Sequence, residues 1–370
     1  MYPTQYARTI EYLAEKRPLY PLLVYGITGI GKTSIPGQVY KKLAQKYGAD
    51  KFGFLYVNMT ACEPSDLLGN PIIMEKKDGS KMTTYAPPDW LKRVEDFERG
   101  IAIFDEVNRL DYQVQNTYMQ FLDRRELGNV RVPDGWLIVQ TANPNDEGYK
   151  VSDLDKALLR RSVIIQLQFS LDEWREWAMG EYLSPTGNRM HPRVLAATTR
   201  VVRKYDQEVK NKFDQVMSPY GWEICSEYLW SGAMDELNRE IRTQIMAGAA
   251  GPEYANLLES SLNDEEIRKL LRDILDSKQV TVPKGKEDMF IDLMYMFFES
   301  LDKEPKRHAK PALALFESLP GEFRPVYVKY LYKYFSRFKK EYEPLKLSWR
   351  GWCSKNKQYE SILLGGGNDE

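Results

Sequence analysis

Residues 22–34 read Leu22-Leu-Val-Tyr-Gly-Ile-Thr-Gly-Ile-Gly-Lys-Thr-Ser34, and their reading decides the fold. The apolar run from Leu22 to Tyr25 predicts a buried strand; Gly26, Gly29 and Gly31 break it, and Lys32, Thr33 and Ser34 lead into a helix. This is G-x-x-x-x-G-K-T in a strand-to-helix setting. A polyphosphate is held by backbone N–H groups lining a concave loop and by the positive end of a helix, and side chains beyond Cα at the glycine positions would obstruct it. Gly26, Ile27, Thr28, Gly29, Ile30, Gly31, Lys32, Thr33 and Ser34 are therefore the expected cradle. Lys32 would reach the β- and γ-phosphates, and the Thr33 hydroxyl would ligate Mg²⁺, a hard cation that prefers oxygen.

The second landmark is Ile101-Ala-Ile-Phe-Asp-Glu-Val-Asn108. An apolar run in a buried strand delivers Asp105 and Glu106 to the strand's carboxyl edge, where open α/β sheets bind ligands. Asp105 suits Mg²⁺; Glu106, one residue on, suits the water that attacks a γ-phosphate. A further apolar run, Trp136 to Ala142, ends in Asn143, whose amide can orient that water because it both donates and accepts. Asp153 to Arg161 predicts a helix that ends in Arg160 and Arg161, followed by a fifth strand over 163–167. Guanidinium is always charged and forks onto phosphate oxygens, so this arginine pair is a candidate for a neighbouring molecule's γ-phosphate.

Between these landmarks, residues 5–16 and 35–47 predict helices and 54–59 a second strand, and Pro64 or Ser65 opens a short helix closed by Gly69. The Asp78-Gly79 pair within 71–87 signals a hairpin that projects from the body of the sheet, and a polar helix is expected to run from there to about Gly100. Residues 111–127 predict an amphipathic helix with Val114, Tyr118, Phe121 and Leu122 buried. Arg124 and Arg125 at its end either complement its dipole or act on a neighbour. A second hairpin is expected over 129–135, turning at Pro133-Asp134-Gly135. From Leu171 the strand pattern stops, and helices are expected near 171–177, 191–204, 205–216, 221–231, 233–247, 252–259, 264–276 and 287–302. The aromatic stretch 325–338 reads as the core face of a helix, with stacking on nucleic acid as the alternative.

A chain of 370 residues is long enough for two or three domains. Its 52 basic and 53 acidic residues leave no global field to attract nucleic acid or an anionic membrane, although the lysine-rich runs 337–340 and 346–357 are locally basic. Cys62, Cys225 and Cys353 are far apart and lack metal-ligand spacing, which fits ordinary thiols in a reducing compartment. No apolar stretch is long enough to cross a membrane and no leader pattern is visible, so the cytoplasm is the expected location.

The order of phosphate loop, Asp66-Leu-Leu-Gly69, Phe104-Asp-Glu-Val-Asn108, Thr141-Ala-Asn-Pro144 and paired arginine resembles an AAA+ ATPase of the MoxR branch, related to dynein-type modules. The stretches Asp66–Gly69, Ala86–Trp90 and Val132–Trp136 are similar to a phage and bacterial subgroup of these ATPases. The resemblance covers about residues 1–260 and implies an α/β P-loop fold with a five-stranded parallel sheet sandwiched by helices. It places the nucleotide-binding core at 1–169 and a helical lid at 170–261, and leaves 262–370 as a C-terminal helical region of open role. It implies ATP and Mg²⁺ as cofactors, Glu106 and Asn143 in hydrolysis, and Arg161, with Arg160 as runner-up, as a finger lent to the adjacent copy. Its partners would be further copies in a ring, a hexamer, and a protein substrate or a von Willebrand factor A-type protein. The alternative is the NTPase motor of a phage or restriction-type DNA-processing complex. One departure stands out: Ser218-Pro-Tyr-Gly-Trp-Glu223 lacks the arginine that such a family carries there, leaving Arg189 or Arg193 as substitutes.

Overall fold

The computed structural model describes residues 1–16, 20–143, 156–180, 182–205, 218–262, 265–281, 288–303 and 309–321, with Arg324, Tyr327, Val328 and Leu331 beyond them. The expected helix near 205–216, the first residues of the helix expected over 153–161, Pro144, Cys353 and the basic runs after 337 lie outside these residues. The described chain forms two compact units, one up to Glu173 and one from Trp174.

The first unit opens with α1 (Pro3–Lys16), β1 (Leu22–Tyr25), α2 (Ser34–Tyr47) and β2 (Phe52–Asn58). Then come α3 (Pro64–Leu68), β3 (Asn70–Glu75), β4 (Lys81–Ala86), α4 (Asp89–Lys92), β5 (Arg99–Asp105) and α5 (Tyr112–Arg124). It closes with β6 (Glu126–Leu127), β7 (Val130–Arg131), β8 (Gly135–Ala142), α6 (Lys156–Leu159) and β9 (Val163–Gln166). Five strands form one parallel sheet in the order β2-β5-β8-β1-β9.

Alternation along β5 and β8 explains why these strands read as unbroken apolar runs. Ile101, Ile103, Leu137 and Val139 pack on one face with Tyr6, Ile10, Val39 and Leu43 of α1 and α2. Ala102, Phe104, Trp136 and Ile138 pack on the other with Val114, Tyr118 and Phe121 of α5. A strand covered on both faces has no polar side to display. Because all five strands run the same way, their carboxyl ends share one edge. Register sets Tyr25 beside Ala142 and Asn58 beside Asp105 there.

The projecting hairpin is β3 paired with β4, Ile73 opposite Thr83 and Met74 opposite Met82. Gly69 at its base has φ +84°, and a Cβ there would lie 1.9 Å from the Ala86 carbonyl oxygen, so no other residue fits without moving the hairpin. The polar helix expected up to Gly100 is shorter: α4 stops at Lys92, a 3-10 turn follows to Asp96, and β5 starts at Arg99 because its pairing with β2 claims those residues. The second hairpin turns at Gly128-Asn129, not at Pro133-Asp134-Gly135, since the left-handed Gly128 (φ +58°) makes the tight reversal. Pro133 instead leads into β8, its carbonyl accepting from Trp136 N and from Arg125.

The second unit is helical in its described residues: α7 (Leu171–Gly180, begun in the first unit), α8 (Pro192–Tyr205), α9 (Pro219–Trp230), α10 (Arg239–Ala250), α11 (Pro252–Leu262), α12 (Glu265–Leu275), α13 (Asp288–Lys303) and α14 (Ala309–Ser318). Helix α10 begins six residues later than the sequence suggests, because the Asn238 side chain caps it by accepting from Ile241 N at 3.0 Å. Helix α8 packs on α11 and α13. The Arg242 guanidinium forks onto buried Glu259 at 3.0 and 3.1 Å, and Arg200 pairs with buried Asp292. Tyr327, Val328 and Leu331 are buried, and the Tyr327 hydroxyl donates to Ala312 O at 3.1 Å, so these aromatic-stretch residues are core.

Candidate functional site: the carboxyl edge of the parallel sheet

Gly26 to Thr33 form the loop between β1 and α2, with Ser34 the first residue of the helix. Gly29 (φ +80°) and Gly31 (φ +98°) take left-handed backbone conformations that turn the chain and would strain any side chain. Lys32 is only 7% exposed, and its ammonium donates to Gly26 O at 2.6 Å, Ile27 O at 2.8 Å and Asn143 Oδ1 at 2.7 Å. A buried ammonium needs acceptors, and here the loop's own carbonyls and one amide supply them. Tyr6 on α1 is fully buried and donates to Lys32 O at 3.1 Å, which ties the first helix to the loop; burial, and then the Asp105 carboxylate, push its hydroxyl well above the usual range.

Asp105 ends β5 as expected and accepts from three hydroxyls. Thr33 Oγ1 donates to Oδ1 at 2.7 Å, Thr141 Oγ1 donates to the same oxygen, and Tyr56 donates to Oδ2 at 2.9 Å. Burial, then the hydrogen bond to Asp105, raise the Tyr56 hydroxyl to about 12, so it remains a donor at neutral pH. With its proton on Asp105, the Thr33 oxygen keeps lone pairs for a hard cation. One carboxylate and one hydroxyl side by side are a donor set that suits Mg²⁺ completed by phosphate oxygens and water. Among the described residues no cluster of three His, Cys, Asp or Glu side chains offers a metal cage of another kind.

Glu106 is left-handed (φ +59°, ψ +45°), a costly backbone for a side-chain-bearing residue, and its N–H donates to Thr141 Oγ1 at 3.0 Å. Its Oε1 accepts from Asn143 Nδ2 at 2.9 Å, and its Oε2 pairs with Arg109 Nη1 at 3.4 Å. Asn143 thus joins Lys32 to Glu106, its oxygen toward the ammonium and its nitrogen toward the carboxylate. Only that orientation of the amide satisfies both neighbours. Asn108, 2% exposed, clamps Asn143 from below: its Nδ2 donates to Asn143 O at 2.7 Å and its Oδ1 accepts from Asn143 N at 3.4 Å.

The arginines separate. Arg161 Nε donates to Asp123 Oδ1 at 2.7 Å, whereas Arg160 is exposed. Arg125 is buried at the left-handed end of α5 and donates to Pro133 O and Trp136 O, so it fastens the fold and is not offered to a neighbour; desolvation holds its guanidinium below the usual range.

Tyr56, Thr141, Asn108 and Arg109 are the members that motif reading missed. Thr141 lies two residues before Asn143 and so on the same strand face, and Tyr56 alternates with Phe54 and Asn58 on the exposed face of β2. That alternation was a usable signal; which strand neighbours which was not.

A five-stranded parallel sheet with helices on both faces, and a glycine loop ahead of a lysine and a threonine at its carboxyl edge, define the α/β P-loop fold of AAA+ type. Residues 21–162, from the entry of β1 to the end of α6, match the family described as AAA domain (dynein-related subfamily). No curated protein matches the chain. Among solved structures, NtrX from Brucella abortus is 17% identical over 92% of this chain and 67% of its own, with a TM-score of 0.33. A RuvB of Thermotoga maritima is 13% identical over 81% of each chain, with a TM-score of 0.33. PCH-2 of C. elegans is 15% identical over 69% of this chain and 66% of its own, with a TM-score of 0.32. Among the described residues no helix is long and apolar enough to cross a membrane.

Proposed function

We propose that the protein is a Mg²⁺-dependent ATP hydrolase of the MoxR branch that works in the cytoplasm as a ring of copies, a hexamer, and remodels a protein partner. The observation that carries this reading is the convergence on one sheet edge of Lys32, Thr33, Asp105, Glu106 and Asn143, each hydrogen-bonded to another of the set. Gly26–Ser34 hold the phosphates, Thr33 and Asp105 hold Mg²⁺, and the metal supplies charge neutralisation for the phosphate oxygens. Lys32 exchanges the loop carbonyls for phosphate oxygens. Asn143 orients water, and Glu106 accepts its proton during attack on the γ-phosphorus. Catalysis of this kind is mostly positioning and charge, so a missing cation can come from the adjacent copy. Arg160, exposed at the end of α6, is favoured for that part over Arg161, which Asp123 already holds.

The hairpin of β3 and β4 supports a protein partner. Ile73 is 74% and Met74 52% exposed, apolar surface that a peptide could cover. The test is Glu106→Gln. It should hold a fluorescent ATP analogue as wild type does while hydrolysis falls about a hundredfold or more, the usual cost of losing a general base; unchanged turnover removes Glu106 from the chemistry. Held in its ATP state, the same variant should retain a protein partner after nuclease treatment. Retention of DNA instead would favour the DNA-processing alternative.

A further inference from the structure

The helix that follows the glycine loop lacks one bond of its first turn. Ile35 N donates to Gly31 O at 3.0 Å, so helical bonding has begun by Gly31, and the next bond in the ladder would run from residue 36 to Lys32 O. Residue 36 is a buried proline, which has no N–H and whose ring crowds the carbonyl four residues back. Regular α2 accordingly starts at Ser34, past Lys32. The Tyr6 hydroxyl on α1 supplies a donor in its place, reaching Lys32 O at 3.1 Å from a fully buried ring. Helix α1 is kept in register along α2 by buried Ile10 and Ala14 and by two ion pairs one turn apart, Glu11 with Lys42 at 2.8 Å and Glu15 with Lys46 at 2.6 Å.

The Lys32 carbonyl and the Thr33 N–H belong to one peptide unit. That unit is planar and trans, so a donor that fixes the oxygen on the α1 side also fixes the Thr33 N–H on the opposite side. Backbone N–H groups at a loop and helix start of this kind are what a polyphosphate binds. We propose that Tyr6 is a positioning residue for the nucleotide: it replaces the backbone donor that Pro36 lacks and holds the Lys32–Thr33 peptide in the orientation that serves phosphate. This rests on the reading of Gly26–Ser34 as the phosphate cradle. Once the hydroxyl is removed, the carbonyl turns toward another donor, and nucleotide binding has to turn it back at the expense of affinity.

The experiment is titration of a fluorescent ATP analogue into Tyr6→Phe, Pro36→Ala and the double variant, with Ile10→Val as a control that thins the packing of the same helix, and urea unfolding of each. Tyr6→Phe keeps the ring and should weaken binding about threefold to tenfold, the scale of one hydrogen bond. Pro36→Ala puts an N–H where the ladder needs one, so alone it should bind as wild type does, and in the double variant it should restore most of the lost affinity. Ile10→Val should lower the urea midpoint and leave the affinity of the folded protein unchanged. Unchanged affinity in Tyr6→Phe overturns the proposal, and so does a loss that Pro36→Ala fails to restore. An equal loss in Ile10→Val overturns it as well, because loosened packing would then account for the effect. If Lys32→Ala binds the analogue as wild type does, it is the cradle reading that falls, whatever Tyr6 does.

Discussion

Both units bury polar and charged side chains, but they do so in different ways. At the sheet edge Lys32, Asn108, Thr141 and Asn143 are buried and linked into one network that ends on Asp105 and Glu106, both partly open to solvent. In the helical unit, buried Glu259 meets Arg242 and buried Asp292 meets Arg200, and each pair joins two helices. A closed pair holds helices together. A network whose last members face outward can exchange partners with a ligand, and that difference separates a site from a strut.

The sharpest way to break the comparison is to cut a strut. Arg242→Ala leaves the Glu259 carboxylate, 1% exposed, without its forked partner, and removing one member of a buried pair costs about 3–5 kcal/mol. Urea unfolding should show that loss, while the folded fraction binds an ATP analogue with unchanged affinity. If Arg242→Ala is as stable as wild type, the pair is no strut.

A second test uses pH. Burial raises the Glu223 carboxyl on α9 to about 7 from its ordinary 4.5. Between those values the folded chain binds more protons than the unfolded one, so this group's contribution to stability falls as pH rises from about 4.5 to 7 and is flat above. Glu223→Gln should match wild type near pH 4.5 and exceed it by about 1–3 kcal/mol at pH 8, read from urea midpoints. Parallel stability curves would show that Glu223 ionises freely.

How much was legible follows the same division. Gly26–Ser34, Asp105, Glu106 and Asn143 could be read because each sits at the end of an apolar run, and parallel strands bring such ends to one edge whatever their order. The donors to Asp105 from β2 and β8 could not, because they depend on β5 lying between those strands, and pairing is a long-range choice. Helices of the second unit were visible from their periodicity. Their partners were not: Arg242 and Glu259 lie on different helices, and nothing local in the sequence marks them as a pair. The start of α10 was misplaced because apolar residues continue upstream of Asn238, and the cap, not the pattern, begins the helix.

The smallest expected effect probes how far the network extends. Tyr56 is 46% exposed and touches the site only through its hydroxyl, which donates to Asp105 Oδ2. Thr33 and Thr141 both donate to Oδ1, so Tyr56→Phe strips Oδ2 of its donor and leaves Oδ1 served. One hydrogen bond to a charged group, half open to water, is worth about 1 kcal/mol, so hydrolysis should fall about threefold to tenfold. The loss should appear in kcat and in the Mg²⁺ concentration giving half-maximal rate, with stability nearly unchanged because the ring stays in place. If Mg²⁺ dependence is unaltered, Oδ2 takes no part in holding the cation. Tyr56 would then belong with the struts of the other unit, a side chain bonded for the sake of the sheet and not of the ligand.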